Sequence, residues 1–354
     1  MKFYVLAMLL LSGCAWRHKD FKEDLNQPVS LEPQVAVDKE LLEKFKVEPE
    51  VIAEPTPEAK PKVKPDTSEV KKKPVVTVQK TSPQKIEPTP LPKKGELKVV
   101  KLEYPEDYPS ELKALNAKAK KIWELYKPNH AADEQSYLNI YYLGMTVGKI
   151  MFTNKGKKLM NEKEVWHFHA RFKSAPFYSN IYELDDTVDT YVTTDKFLST
   201  RYSLIQRESK QDIDDLQLHD REQLKTFWFY KRKTSGSTKE KKKEIFIPHF
   251  SIDPFSVLFF YQGLPLKNGD IYEIPVINKD KILLLKSVVE GRESIATALG
   301  EKKAIRVHAT TKYTGQHLKS GDLFFWFSDD EKRTLLKVQA KIKIGSVTAE
   351  IVEH

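Results

Sequence analysis

The sequence predicts a mainly β fold: a strongly curved antiparallel sheet or incomplete β-barrel, with one or two covering helices, preceded by a disordered linker. Three observations predict it. Beyond Ser136, apolar and polar residues alternate with period two over long stretches, the pattern of strands with one buried face. Two runs, 282–285 (ILLL) and 323–327 (LFFWF), are apolar on both faces and need a cover. Twelve of the 20 prolines fall between Pro28 and Pro92, while eleven of the 13 glycines lie at or beyond Gly144. A part that cannot pack therefore precedes a part of globular composition. No apolar run beyond the N-terminus approaches the ~20 residues of a membrane-spanning helix. A single cysteine excludes a disulfide framework and a Cys-rich metal site.

The first residues, MKFYVLAMLLLSGC, read as an address. Lys2 gives a short positive region, residues 3–11 an apolar one, and small residues then precede Cys14. This is the layout of a secretory signal, too short to remain as a spanning helix. The ending Leu11-Ser12-Gly13-Cys14 resembles the lipobox of bacterial lipoproteins. By that resemblance residues 1–13 are removed and the Cys14 sulfur takes a diacylglyceryl group, with a fatty acyl chain such as palmitate on the freed amine. Each buried methylene contributes about 0.8 kcal/mol, so two or three chains anchor stably where one would not. Ala15 rather than Asp follows the cysteine. The resemblance then implies an outer-membrane address with a periplasmic domain.

Residues 14–99 read as a tether. Over 15–99 there are 17 Lys+Arg and 15 Asp+Glu, a near-neutral polyampholyte. Stretches such as EPTPEAKPKVKP fix φ and remove backbone donors, so the expectation is an extended, polyproline-II-like chain. About 80 such residues would reach ~50 Å as a coil and up to ~250 Å if fully extended. One interruption, 38–47 (DKELLEKFKV), is patterned as a short amphipathic helix.

Residues 100–354 read as the folded domain. Leu112, Leu115, Ala119, Ile122 and Tyr126 recur at three- and four-residue steps, which predicts a helix over 110–126 with Ser110 as its N-cap. Strand patterns follow, about twelve in all. Trp166, Phe168, Ala170 and Phe172 alternate with His167, His169, Arg171 and Lys173; similar alternation runs over 337–344 and 346–351. Leu143-Gly144, Asn268-Gly269 and Ser320-Gly321 are turn signals. A second helix is marked by Asp253 as N-cap, Pro254 at the first helical position and Gly263 as the stop. Its Phe255, Leu258, Phe259 and Tyr261 are apolar nearly all round, so it must sit against or inside the sheet. An uncovered stretch there would leave an apolar groove, for which Phe255, Leu258, Phe259, Phe325 and Trp326 are the candidate lining residues.

Several segments together resemble a known family. YLGMTVGKI (142–150), DPFSVLFFYQGLPLKNGD (253–270), IPV (274–276), WFSDDEKR (326–333) and KIKIGSVTAEIV (341–352) stand in its order. On these the region 137–352 is identified as similar to the bacterial domain-of-unknown-function family 3108. The resemblance implies an envelope protein rich in antiparallel β-structure, and brings no catalytic residues. The basic stretch 231–243 reads as a local loop insertion.

The chemistry-bearing residues are sparse. His167 and His169, two apart on one strand, point the same way and are weak candidates for metal ligands; the plainer reading is two solvent-facing histidines. Asp329-Asp330 suits a hairpin turn better than acid–base work. The G-x-S-x-G elbow, H-E-x-x-H and the phosphate-binding glycine motifs are missing. No catalytic residue and no cofactor is assigned. The expected function is a non-enzymatic β-rich binding domain on an outer-membrane lipoprotein, for lipid or another apolar ligand. A structural or assembly factor docking on an envelope protein or peptidoglycan is the first alternative, and a hydrolase with dispersed catalytic residues the second. The expected contacts are a membrane, through the lipid anchor, and not nucleic acid.

Overall fold

The structure is a computed structural model, described here for residues 25–27, 29, 32–48, 103–313 and 322–354. The signal segment, Cys14 and most of the Pro-rich stretch lie outside the described residues, as does the Ser320-Gly321 turn. The chain divides into two compact units, Met1–Pro49 with Tyr104–His354, and Glu50–Glu103.

One sheet of fourteen strands forms the first unit: β1 (Gln135–Tyr142), β2 (Met145–Met160), β3 (Lys163–Ser174), β4 (Asp185–Thr193), β5 (Ser199–Glu208), β6 (Gln211–Asp220), β7 (Lys225–Thr234), β8 (Ser237–Phe246), β9 (Ile271–Asn278), β10 (Lys281–Thr297), β11 (Gly300–Tyr313), β12 (Leu323–Ser328), β13 (Leu335–Lys341) and β14 (Ser346–Glu353). Their order is β8-β7-β6-β5-β4-β3-β2-β1-β14-β13-β12-β11-β10-β9. Every ladder is antiparallel. Apart from the β1–β14 pair, which joins the two ends of the domain sequence, neighbours in the sheet are neighbours in the chain. Local hairpins thus do most of the ordering.

The sheet is not closed into a barrel, yet its ends meet through side chains. At the β9–β10 turn the Lys279 backbone N–H donates to Gln217 Oε1 at 2.8 Å, and Lys279 Nζ lies 3.1 Å from the buried Asp215. Ile247, just after β8, packs with Ile277 and Ile282 of β9 and β10. Ile252 forms an isolated parallel bridge to Val276. Opposite ends of the sheet are thereby stitched without a ladder between β8 and β9.

Among the described residues four helices are defined with bounds: α1 (Lys39–Lys44), α2 (Ser110–Trp123), α3 (Pro176–Ser179) and α4 (Ser256–Gln262). α4 fills the concave face. Its flank Phe255 stacks on Phe152 of β2, Phe259 on Phe168 of β3 with centroids 4.0 Å apart, and Tyr261 against Phe325 and Phe327 of β12. α2 closes the seam, with Leu112 and Leu115 packed on Ile247, Ile277 and Ile282. Its first helical residue is Ser110, so that residue is not the N-cap; Pro109 occupies the cap position and no side chain caps the helix.

Part of the predicted tether belongs to the folded unit. Residues 32–48, placed in the 14–99 tether by composition, lie across the outer face of the sheet. Phe45, with Val35, Val37, Leu41 and Val47 around it, packs on Met160, Val165, Tyr191, Leu216, Leu218 and Phe229. Arg201 donates to the Phe45 carbonyl and pairs with Glu32, Lys44 pairs with Asp220, and the Glu48 N–H bonds the Leu159 carbonyl. The reason is physical: Phe45 and the four half-buried side chains around it meet an apolar patch on a sheet face that also carries His167, His169 and Arg201, and full burial of a side chain such as Phe45 contributes roughly 1.5–3 kcal/mol. The amphipathic pattern over 38–47 is realised as α1, capped by Asp38.

The basic stretch 231–243 is likewise ordered, and not as a loop. It is the body of the β7–β8 hairpin, paired from Lys225↔Phe246 to Thr234↔Ser237. β8 is the edge strand and is exposed from Ser237 to Glu244, and its lysines discourage strand addition by another chain.

Candidate functional site

The predicted groove residues fall into three environments. Leu258 and Phe259 of α4 stay half-buried and line a shallow, open cleft. Phe152, Phe168 and Leu335 complete its apolar floor, and His130, Glu134, Ser136, Asn154, Gln262, Lys332, Thr334 and His354 supply polar walls. Phe255 is buried behind the cleft on Phe152. Phe325 is buried beneath Tyr261, as part of the packed interior. Trp326 alternates to the opposite face, where its indole N–H donates to Glu293 Oε1 at 2.6 Å and the Arg306 and Lys337 cations lie over its ring. Trp326 is therefore not a groove residue: period two sends it away from Phe325.

The cleft owes its shape to the local chain. α4 starts two residues later than predicted, so Phe255 and not Asp253 occupies the cap position; Asp253 instead makes the turn leading into the helix, accepting the Phe255 and Ser256 N–H groups on Oδ1, both at 2.9 Å. Asp253 Oδ2 accepts the hydroxyls of Thr190, Ser199 and Ser256 at 2.5, 2.6 and 2.5 Å. Gly263 ends α4 with ordinary right-handed dihedrals. Its lack of a side chain serves close approach instead, since a Cβ there would fall 2.2 Å from Tyr126 Cε2 and 2.5 Å from the Lys127 carbonyl oxygen. That contact seats 124–130 against α4 and carries His130 to the cleft.

His130 is the one titratable group of the cleft with a strong shift. Burial pushes its imidazole down to about 4, with a hydrogen bond to Gln262 opposing. Its ring stands edge-on to Trp166 and Phe168, and its Nε2 meets the Tyr126 hydroxyl at 2.8 Å. The ring is neutral at pH 7, and its Nε2 is engaged by that hydroxyl. The cleft can hold an apolar group on its floor and hydrogen-bond a polar one at its walls. Sequence reading missed His130, Gln262, Lys332 and His354, which lie on a connecting segment, a helix end, a turn and the last residue. No spacing links them.

His167 and His169 do not face solvent. They are 4% and 3% exposed, under the segment 32–48, because that segment covers the outward side of β3. Both bond one oxygen of Asp189, from His167 Nε2 at 2.6 Å and His169 Nδ1 at 2.9 Å. Burial acts to raise the Asp189 carboxyl, but the two imidazoles more than offset it and hold it below the usual carboxylate range; burial lowers His167. Those ring nitrogens are engaged by a carboxylate. Among the described residues no group of three or more His, Cys, Asp or Glu is arranged to hold a metal ion.

The Asp329-Asp330 pair is held in local contacts. Asp330 Oδ1 accepts the Lys332 and Arg333 N–H groups and the Ser328 hydroxyl, making the turn before β13. Asp329 pairs with Arg292 and Arg333.

An open, all-antiparallel sheet wrapped on a short apolar helix defines a class of β-barrel-like domain. This chain belongs to the family described as "Protein of unknown function (DUF3108)", whose profile matches residues 137–352, more than half of the chain. Among solved structures it is similar to a β-barrel-like protein of domain of unknown function DUF1849 from Brucella abortus. That likeness has 11% identity and a TM-score of 0.41, and covers 63% of this chain and 96% of the other. It is also similar to a protein with a YmcC-like fold from Bacteroides fragilis, with 11% identity, a TM-score of 0.27, and 65% and 98% of the two chains covered. No curated protein matches it.

Proposed function

We propose that the protein is a lipoprotein anchored through Cys14 in the outer membrane, whose periplasmic β-rich domain binds, without catalysis, a small amphipathic molecule in the cleft beside α4. The observation that carries the ligand reading is the pair Leu258 and Phe259. They are the apolar residues of α4 that are not fully buried, at the floor of a shallow cleft whose walls are polar. An acyl chain end would lie on Phe168, Leu258 and Phe259, with its polar part against Gln262 and Lys332. A large carrier cavity is not part of this reading, because α4 itself occupies the concave face. Catalysis is disfavoured because the buried hydroxyls of Thr190, Ser199 and Ser256 are all directed at Asp253, which holds the turn leading into α4. The lipobox supports the address.

The test is mass spectrometry of organic extracts from the purified full-length protein. An apolar-tailed molecule should co-purify at near one per chain and fall at least about tenfold with Leu258→Trp, which fills the cleft. Equal recovery from both proteins would exclude the cleft as the site. The β7–β8 hairpin supports a second reading, docking on an acidic envelope polymer. Its residues 225–246 carry eight Lys+Arg against two Glu, and pull-down on such a polymer tests it.

A further inference from the structure

Four large apolar side chains are exposed on three turns that lie side by side at one end of the sheet. Leu143 in the β1–β2 turn is 49% exposed, Phe177 of α3 41%, Ile181 after α3 51%, and Ile344 in the β13–β14 turn 67%. The turns are packed together. Leu143 Cδ2 lies 3.4 Å from where a Cβ on Gly345 would stand, and the Tyr142 hydroxyl donates to the Ile344 carbonyl at 3.3 Å. The Ala175 N–H bonds the Val147 carbonyl at 2.9 Å, and Tyr178 donates to Met145 Sδ at 3.2 Å. Beneath them Tyr142, Val147 and Tyr178 form one buried cluster. The three turns therefore form one joined surface with their apolar tips exposed. The other exposed large aliphatics, Leu42, Leu125, Leu159, Ile271 and Leu299, are spread over five different elements or connections.

The chain length outside the described residues says what covers this rim. Leu25 is buried against Tyr137 and Met151, and Arg171 donates to the carbonyls of Leu25 and Gln27. Only residues 15–24 separate it from Cys14, a reach of at most ~36–40 Å. Met151 lies seven residues along β2 from Gly144 at the rim and ten from Asn161 at the other end. At ~3.3 Å per residue these are ~23 and ~33 Å. The anchor reaches the plane of the rim with chain to spare, and the opposite end only when nearly taut. Lys343 stands beside Ile344 in the same exposed turn, with Glu183 two residues beyond Ile181.

We infer that this rim is a membrane-docking surface: Leu143, Phe177, Ile181 and Ile344 dip into the interfacial region of the bilayer that holds the anchor. This rests on the proposed acylation of Cys14 for its orientation. It means that the domain sits on the membrane, and that the Pro-rich stretch 49–102, which leaves and re-enters the same unit, does not set its distance from the bilayer.

The test uses the mature acylated protein, in which Cys14 is the sole natural cysteine and its sulfur is blocked. Ile344→Cys and Phe177→Cys are labelled singly with a polarity-sensitive fluorophore and placed on phosphatidylethanolamine–phosphatidylglycerol vesicles. Gly236→Cys, in the β7–β8 turn, is the control. Labels at 344 and 177 should shift to the blue and lose iodide quenching by about threefold or more relative to 236, as for side chains in the headgroup region. Vesicle-bound protein whose labels at 344 and 177 quench like that at 236 would overturn the rim and leave the anchor standing. Failure of the chain to associate with vesicles in excess, with a second label on Cys14, would overturn both.

Discussion

Single side chains do more here than their sequence patterns reveal. Gly263 was legible as a helix stop, but it is held by contact rather than by dihedral angle. Gly263→Ala should destabilise the domain by about 2 kcal/mol or more, because a ring and a backbone carbonyl must move; thermal unfolding measures this, and a neutral result would dispute the Tyr126 packing. Asp253→Ala leaves two N–H groups of the turn before α4 and three buried hydroxyls without their acceptor, for an expected loss of roughly 3–5 kcal/mol. Asp253→Asn should lose less, since an amide oxygen can still accept. His130 sets a pH dependence. Its folded value, about 4, lies below the unfolded value of about 6.5, so the unfolded chain binds the extra proton. Stability is then full above pH 6.5 and falls as pH drops toward 4, by up to about 3 kcal/mol from this group. His130→Gln should flatten that part of the profile measured by denaturant unfolding between pH 7 and 4.5.

At the scale of elements, periodicity was a good guide to strands and a poor one to their surroundings. The alternation of 166–173 correctly separated the two faces of β3, yet the face carrying His167 and His169 is as buried as the other. What covers it comes from 25–48, more than a hundred residues away in sequence, and nothing in β3 announces it. Polar residues on a strand signal a partner as readily as solvent: His167, His169 and Arg171 are matched by Asp189, Asp185 and backbone carbonyls. The segment 32–48 was hidden because it stands within a chain whose composition is that of a linker, although Val35, Val37, Leu41 and Phe45 were in plain view. Phe45→Ala should expose this face, at a cost of roughly 2–4 kcal/mol against the intact domain. Hydrogen exchange would then report faster exchange in 39–48 and at the outer face of β3. Unchanged protection there would mean that the segment contributes nothing to holding the sheet. The doubly apolar runs were read rightly: 282–285 of β10 and 323–327 of β12 are largely buried on both faces, and α4 supplies the cover on one side of β12.

For the molecule as a whole, the mainly β architecture, the covering helices and the family were legible, because hairpin order follows chain order. The cleft was legible only in part. Leu258 and Phe259 were marked by an all-round apolar helix, whereas the polar wall is assembled from four distant places by the curvature of the sheet, which periodicity does not encode. The packed segment 32–48 also changes the meaning of the N-terminus. With Leu25 seated on the sheet, a lipid on Cys14 would hold the domain within ~40 Å of the bilayer. The most direct measurement of this account is the intact mass of the protein extracted from membranes of the native host. It should equal residues 14–354 plus a thioether-linked diacylglyceryl group, with or without an amide-linked acyl chain on the same residue. A mass that retains residues 1–13, or one with an unmodified Cys14 thiol, would contradict the anchor, and with it the envelope address and the membrane-facing rim.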